Sequence, residues 1–495
     1  MSTAAVDRRA SPPAGVSRHA ARTKIVATIG PASSSADVLQ QLIEAGVNVF
    51  RLNFSHGAHD QHSDVVSTIR ALSRRLGRHV AILQDLCGPK MRLGDVAGGV
   101  VECALGEEFT LVADAASPAA RELTCTYRAL PNEVKPGETI LFADGTVAML
   151  VIDTVPGCAR LKVTLPGRLR SRQGVNLPGS ALSVRSLTDK DLEDLDWTAR
   201  HADDVDFVGL SFVRSPQDIA DLRRELQARH CPAHVVAKIE KPQALEQLDA
   251  IVAAADAVMV ARGDLGVEMA VHRVPAIQKR IIELCNQAHR PVITATQMLN
   301  SMEHSNRPTR AEASDVFNAV VDGADAVMLS GESAVGDYPV QAVATMREIC
   351  EEAENFLQSK EWTRRVAPPS LAALVDPVTE AAVDGACVMT RHLDAALIVV
   401  AARTGRTALA LSNRRPAATI FALTEAERVA RSLSLCWGIT ALVVPDASSM
   451  DRVLAYGVEE ARSRGLVRPG QHAVLVRENP AGQSGAQAVL ATLIT

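Results

Sequence analysis

The chain has no CxxC pair, no excess of either charge and no apolar run of membrane-spanning length, and each absence removes a class of function. Nine cysteines are scattered singly, so neither a thiolate zinc site nor a disulfide framework is indicated, and a reducing cytoplasm is the expected location. The 52 Lys and Arg against 57 Asp and Glu give a net charge of −5, which argues against nucleic acid or an anionic membrane as partner. Anionic ligands would then need local basic clusters. The stretch AIVAAADAVMVA is broken by Asp256 and falls short of a membrane span. Residues 1–20 carry Arg8, Arg9 and Arg18 with Ser and Pro but no apolar centre. They are read as a disordered leader, with a transit peptide as the alternative, and not as a secretory signal. What remains is a soluble globular composition, 47% apolar and 22% charged, in 495 residues that can build several domains with large cores.

Short β-rich runs alternate with amphipathic stretches along most of the chain. Strands are expected to begin near Lys24, Asn48, Val80, Asp206, His234, Ala257, Pro291 and Ala326. Helical spacing follows them, for example over Ala36–Ala45, Leu187–Arg200, Gln217–Arg229, Pro242–Ala255, Pro275–Ala288, Arg310–Asp322 and Pro339–Asn355. Eight β/α repeats in succession point to a closed (β/α)8 barrel over residues 21–87 and 185–360. Residues 88–184, rich in Gly, Pro, Val and Thr with short alternating runs, are expected to form an inserted β-barrel-like lid domain. Residues 361–376 read as a linker. Residues 377–495 read as a third, α/β domain with a mostly parallel sheet, its strands LIVVAA, ATIFALT, ITALVVP and HAVLVRE separated by helices.

The chemistry gathers where an α/β fold places it, just past the carboxyl ends of strands. VVAKIEK ends on Lys238 and Glu240, and AVMVARGDLGVE closes a strand with a glycine-flanked turn carrying Gly263 and Asp264. Two carboxylates hold a divalent cation through oxygen, and a neighbouring ammonium neutralises a phosphoryl group in transfer. A salt bridge with Lys238 is the competing reading. Arg51 and Asn53, Asp85, Ser211, Arg262, Thr296, and Ser330 with Glu332 stand at the other strand ends.

Taken in order, RTKIVATIGPAS, NVFRLNFSHG, GVNLPG, VAKIEKP, MVARGDLGVE, PVITATQML, RPTRAEASDVFNAVVDGADAVMLSGES and GDYP closely resemble the pyruvate kinase family, from Arg22 to about Asn355. The C-terminal third is matched by its pattern and one short loop. The resemblance implies phosphoryl transfer from phosphoenolpyruvate to ADP, giving pyruvate and ATP, in a homotetramer. Lys238, Arg51 and Thr296 would be catalytic, with Gly263 and Asp264 joining them in substrate binding. Glu240 and Asp264 would hold Mg²⁺ or Mn²⁺. Asn53, His56, Arg92 and Asp144 would face the nucleotide, Asp144 arriving when the lid closes.

Two departures from the family pattern stand out. The third strand ends QDLCGPKMR, where the better-known pattern reads DTKGPEIR and holds K⁺. Leu86 offers no side-chain oxygen, and Lys90 stands where that pattern has Glu. Asn53, Ser55 and Asp85 remain of the monovalent-cation site, with the Lys90 ammonium as substitute for K⁺, so K⁺ is not expected to be required. A solvated Lys90 is the other reading. Gln173 stands where the family often has a nucleotide-facing Lys. The loop Arg403, Thr404, Gly405, Arg406 and Thr407 resembles the family's activator-phosphate loop, so a sugar-phosphate or nucleotide effector and an unliganded polar helix start both stay open. A phosphoenolpyruvate- or pyruvate-handling lyase on the same barrel and a catalytically silent metabolite sensor are the alternative functions.

Overall fold

The computed structural model describes residues 21–114, 119–179, 183, 185–359, 376–446, 449–477 and 488–495. The expected leader at 1–20 and all but the last residue of the expected linker lie outside them. Two compact units are distinguished, one of residues 23–359 with Glu427–Trp437 and one of residues 376–426 with 438–495.

In the first unit, strands Lys24–Ile29, Val49–Asn53, Ala81–Asp85, Phe207–Leu210, His234–Ile239, Ala257–Ala261, Val292–Ala295 and Ala326–Leu329 close into one parallel barrel in sequence order. All eight expected strands are present. Val26, Val49, Leu83, Phe207, Val236, Met259, Ile293 and Met328 fill the interior. Their branched or bulky side chains pack the barrel as a core, not a pore. The helices begin where the sequence supplies a cap: Ser35 before Ala36–Ala45 and Thr309, in a capping box with Glu312, before Arg310–Asp322. The expected helix Pro242–Ala255 is broken, because Gln247 leaves helical φ/ψ between Pro242–Glu246 and Leu248–Ala254.

The inserted segment forms a six-stranded and a two-stranded sheet. Phe109, Leu111, Ile140, Phe142, Met149, Leu161 and Val163 build its own core. The antiparallel bridge between Arg92 and Gly174 marks where the chain enters and leaves it.

Leu435 reaches the barrel's interior core from the segment Glu427–Trp437, which the sequence alone assigns to the third domain. Beside it, the fully buried Asp206 accepts from Arg70 Nη2 at 2.7 Å, Arg431 Nε at 2.8 Å and the Ile82 N–H at 2.9 Å. One buried carboxylate thus bridges two buried guanidinium groups from distant parts of the sequence, with Asp204 at 3.6 Å from Arg70 and Glu427 at 3.7 Å from Arg431 adding the second charge. Asp206→Ala leaves each with only its longer, more exposed acidic partner and is expected to cost about 3 kcal/mol, measured as the unfolding free energy in urea. A loss below about 1 kcal/mol, the scale of surface pairs, would mean that Leu435 and the bonds from Arg428 and Ser434 to the Ala202 and His79 carbonyls hold the plug without the carboxylate.

The second unit holds a five-stranded sheet in the order Ile439–Val443, Thr419–Thr424, Leu397–Ala401, His472–Arg477, Ala488–Leu493. The first four are parallel, and the last pairs antiparallel with its neighbour. That last strand and the helix Pro377–His392, capped by Asp376, go beyond the expected elements.

Candidate active site

Side chains along a strand alternate faces, so every residue in phase with an interior apolar residue also faces the barrel axis. Counting by twos from Val26 reaches Thr28, from Val49 reaches Arg51 and Asn53, and from Leu83 reaches Asp85. The same count from Phe207 passes Gly209 to Ser211, and from Val236 reaches Lys238 and Glu240. The strand pattern therefore turns from apolar to ionic at one level, the carboxyl-terminal mouth. Gly209 is needed there: a Cβ on it would lie 3.3 Å from Asp85 Oδ1 and crowd that carboxylate.

At this level a buried quartet forms. Lys238 Nζ lies 3.0 Å from Asp85 Oδ1, 2.9 Å from Glu240 Oε1 and 2.6 Å from Ser211 Oγ. Arg51 donates from Nε to Asp85 Oδ2 at 2.6 Å and from Nη1 to Thr28 Oγ1 at 3.0 Å. Burial alone would lower the Lys238 pKa, but Asp85 and Glu240 outweigh it and hold the ammonium charged. Burial would raise the Asp85 pKa, but Lys238 and Arg51 overcome that and keep it ionised. Glu240 goes the other way, raised by burial, with repulsion from Asp264 adding to it against the pull of Lys238. Two desolvated cations are thus fixed side by side, where a charge interacts far more strongly than in water.

Glu240 Oε2 accepts from the Phe212 N–H at 2.8 Å, while Oε1, buried against Lys238, meets no hydrogen-bond donor in acceptable geometry. Phe212 holds this position in the left-handed region, at φ 56°. Asp264, on the seven-residue helix Arg262–Glu268, is partly exposed. Lys90 is placed beside it, Nζ to Oδ1 3.8 Å, whereas both Asp85 oxygens are turned to Arg51 and Lys238. Asn53 Oδ1 accepts from the Ser55 N–H at 3.1 Å, and Leu86 is buried.

Thr296 is a β-branched residue at φ 70°, followed by Gln297 at φ 53°. Such a conformation costs about 1–3 kcal/mol and persists where surroundings fix it. Here Arg262 does so, donating to the Thr296 carbonyl at 2.7 Å while pairing with Asp315 at 2.7 Å. The Thr296 hydroxyl accepts from the Gly263 N–H at 2.7 Å and donates to the Ala295 carbonyl at 2.6 Å. Glu332 is a structural acceptor for the Leu299 and Ser330 N–H groups at 3.0 and 2.7 Å. Arg262 and Glu332 therefore support the mouth without facing into it.

Around the turn after the second strand, partial burial and then the charges of Arg92, Lys90 and Arg51 push the His56 imidazole below the ordinary histidine value. A histidine so surrounded stays neutral, and the same field favours an anion. Arg92 stands at the root of the inserted segment, with Nη1 on the Arg172 carbonyl at 3.2 Å. Asp144 sits in a left-handed turn, at φ 54°, with its Oδ1 3.3 Å from where a Cβ on Gly174 would be. Gln173 turns its side-chain oxygen to the Arg170 N–H at 2.7 Å. In the second unit, Arg403, Thr404 and Arg406 are exposed and Thr407 buried, and the helix Arg406–Asn413 begins at Gly405, φ 84°.

Sequence reasoning missed Phe212, whose backbone carries the Glu240 contact, and Thr28, the second partner of Arg51. Phe212 leaves no side-chain signal, since it acts through its N–H, whereas Thr28 is signalled only as a hydroxyl in phase with Val26 inside an otherwise apolar strand.

Two family models match the chain: "Pyruvate kinase, barrel domain" over residues 20–343 and "Pyruvate kinase, alpha/beta domain" over residues 380–491. It is 41% identical over 468 residues to the pyruvate kinase of Geobacillus stearothermophilus, covering 94% of this chain and 78% of that one. Identity to the pyruvate kinase of Clostridium acetobutylicum is 38% over 473 residues, 94% and 97% of the two chains. A crystal structure of a pyruvate kinase from Cryptosporidium parvum superposes with a TM-score of 0.88 at 33% identity, covering 96% of each chain. With barrel, curled-sheet insertion and α/β domain all present in a chain these relatives match over most of its length, the protein belongs to the pyruvate kinase family of phosphotransferases.

Proposed function

We propose that the protein transfers the phosphoryl group of phosphoenolpyruvate to ADP, with Mg²⁺ and without a requirement for K⁺. The observation that carries this reading is the Lys238 ammonium, held charged at 3.0 and 2.9 Å between two buried carboxylates at the barrel mouth. A lysine held this way presents its charge in place to what develops on a phosphoryl group in flight, and a direct bond to that group would be made by exchanging one of its three present partners. Arg51, desolvated beside it, is the second clamp.

Glu240 and Asp264 fit a hard divalent cation. Glu240 Oε1 is a buried carboxylate oxygen that meets no hydrogen-bond donor in acceptable geometry and has the Lys238 ammonium at 2.9 Å, and the burial and, after it, the repulsion from Asp264 that raise the Glu240 pKa are what a cation would offset. Among the described residues no cluster of three or more His, Cys, Asp or Glu side chains is arranged to hold a metal. One or two carboxylates, with substrate oxygens and water completing the shell, is the pattern suited to Mg²⁺, and Mn²⁺ takes the same donors. When bound, the ion neutralises the carboxylate and phosphoryl oxygens of the donor.

The chain's own residues supply the rest. A substrate carboxylate taking the Gly263 N–H would leave a lone pair of the Thr296 hydroxyl open to accept a proton from water, and turning the hydroxyl's own proton from the Ala295 carbonyl toward the enolate carbon would complete the relay. Asn53, His56 and Arg92 bind the nucleotide phosphates, with Asp144 approaching from the lid. For K⁺, the Lys90 ammonium, 3.8 Å from Asp264, supplies a positive charge at the mouth, and the buried Leu86 offers no ligand. The Arg403–Thr407 turn is a candidate for an effector phosphate, and the assembly is taken to be a homotetramer, as the family implies. No helix among the described residues is long and apolar enough to cross a membrane, which agrees with a cytoplasmic enzyme.

An assay coupling pyruvate formation to NADH oxidation, with ADP and phosphoenolpyruvate in Na⁺, tetramethylammonium or K⁺ buffer, tests both parts. Activity is expected in all three, equal within about twofold. Silence without K⁺ would overturn the role of Lys90 and leave phosphotransfer standing. Silence in every buffer would return the lyase and sensor readings.

A further inference from the structure

Glu268 closes the helix Arg262–Glu268 that also carries Gly263 and Asp264. Its side chain is fully buried, and its Oε1 accepts from two donors: Lys241 Nζ at 2.6 Å and Asn176 Nδ2 at 3.1 Å. Oε2 is buried as well and has no hydrogen bond. Asn176 belongs to the inserted segment, in the short strand Val175–Asn176 that pairs with Thr139–Phe142 and leads the chain back to the barrel. The turn carrying Asp144 reaches the same helix, since a Cβ on Gly145 would lie 4.0 Å from Val267 Cγ1. Lys241 follows Glu240 in the chain, and its ammonium lies 5.5 Å from the centroid of Phe212, the residue whose N–H holds Glu240 Oε2 at 2.8 Å.

One buried carboxylate is therefore joined to three things. Through the amide of Asn176 it receives the lid; along its own short helix it is tied to Asp264; through Lys241 and Phe212 it is tied to Glu240. A buried acceptor with a single counter-charge depends strongly on each donor that reaches it, because no water replaces one that leaves.

We propose that Glu268 is a positioning residue that makes the geometry of Glu240 and Asp264 depend on the lid, with Asn176 as the lid's catch and Lys241 as the link to Glu240. The proposal deepens the phosphotransfer reading and rests on it. Opening the lid withdraws the Asn176 amide, leaves Glu268 to Lys241 alone, and loosens both carboxylates expected to bind the metal. Closing it restores the set before chemistry, so metal-ligand alignment and exclusion of water arrive together.

The test uses the full-length enzyme and the variants Asn176→Ala, Asn176→Asp and Glu268→Gln, with the double variant Asn176→Ala/Glu268→Gln. Without substrate or metal, amide hydrogen exchange over Thr139–Phe142 and Val147–Val155 is expected to quicken roughly tenfold in Asn176→Ala, the size of one hydrogen bond to a charged group. Asn176→Asp, which sets two carboxylates together, is expected to exceed it. In turnover, kcat falls and the Mg²⁺ midpoint rises by a similar factor while KM for phosphoenolpyruvate stays near wild type, a split that general destabilisation would not produce. The double variant is expected to be no worse than its worse parent, since both remove one contact. Should Glu268→Gln not fold, the two Asn176 variants carry the test, their side chain being only half buried. An active wild type whose Asn176→Ala variant keeps wild-type exchange and Mg²⁺ midpoint overturns the latch alone. A wild type that does not phosphorylate ADP from phosphoenolpyruvate overturns the underlying reading, and the latch with it.

Discussion

Lys238→Met is expected to lower kcat by about three orders of magnitude while leaving KM for phosphoenolpyruvate within a few-fold of wild type, the mark of an interaction made mainly in the transition state. Methionine keeps most of the length and apolar stem of lysine and deletes the charge. What it leaves behind is tolerable, because Asp85 still pairs with Arg51 at 2.6 Å and Glu240 still accepts from the Phe212 N–H at 2.8 Å. Glu240 also has a raised pKa and loses its stabilising ammonium, so it can take up a proton instead of standing as an uncompensated charge. The variant should therefore fold, which circular dichroism and a melting curve would establish before any kinetics. Near-normal turnover in a folded Lys238→Met protein would remove the lysine from the chemistry and reduce the quartet to a structural ion pair.

The second large effect is expected from Asp264→Asn, as a rise of about 100-fold or more in the Mg²⁺ concentration giving half-maximal activity, since an amide is a much poorer ligand for a hard cation. Asp264 is the cleaner target of the two carboxylates. It is partly exposed and its ion-pair partner is Lys90 at 3.8 Å, so the substitution disturbs little packing. Glu240→Gln should act in the same direction but also places an amide against the Lys238 ammonium, 2.9 Å from the present oxygen. Binding of Mn²⁺ followed by electron paramagnetic resonance gives a second measure independent of turnover. An Mg²⁺ titration unchanged in Asp264→Asn would move the metal elsewhere.

The sequence by itself determined the barrel and most of its mouth. Period-two patterning over VFRLN or HVVAKI is local: once Val49 or Val236 faces inward, Arg51, Asn53, Lys238 and Glu240 must follow, and strand ends in a β/α repeat must share one level. Caps such as Ser35 and Thr309 set helix starts for the same local reason, though they enter only with the structure. Motif order carried the family, because many short matches in one sequence are far more specific than any one. The chemical partners were another matter. That Asp85 divides its two oxygens between Arg51 and Lys238, and that Lys90 stands beside Asp264, are distances across strands far apart in sequence. The plug Glu427–Trp437 reads locally as part of the C-terminal domain; only three-dimensional packing brings Leu435 into the barrel core and Arg431 onto Asp206. The meeting of Asn176, Lys241 and Glu268 is of the same kind, three residues inside motifs already visible in the sequence whose burial around one oxygen no pattern encodes. Local periodicity fixes which way a side chain points, while the charge it meets there depends on which distant segment the closed barrel brings opposite.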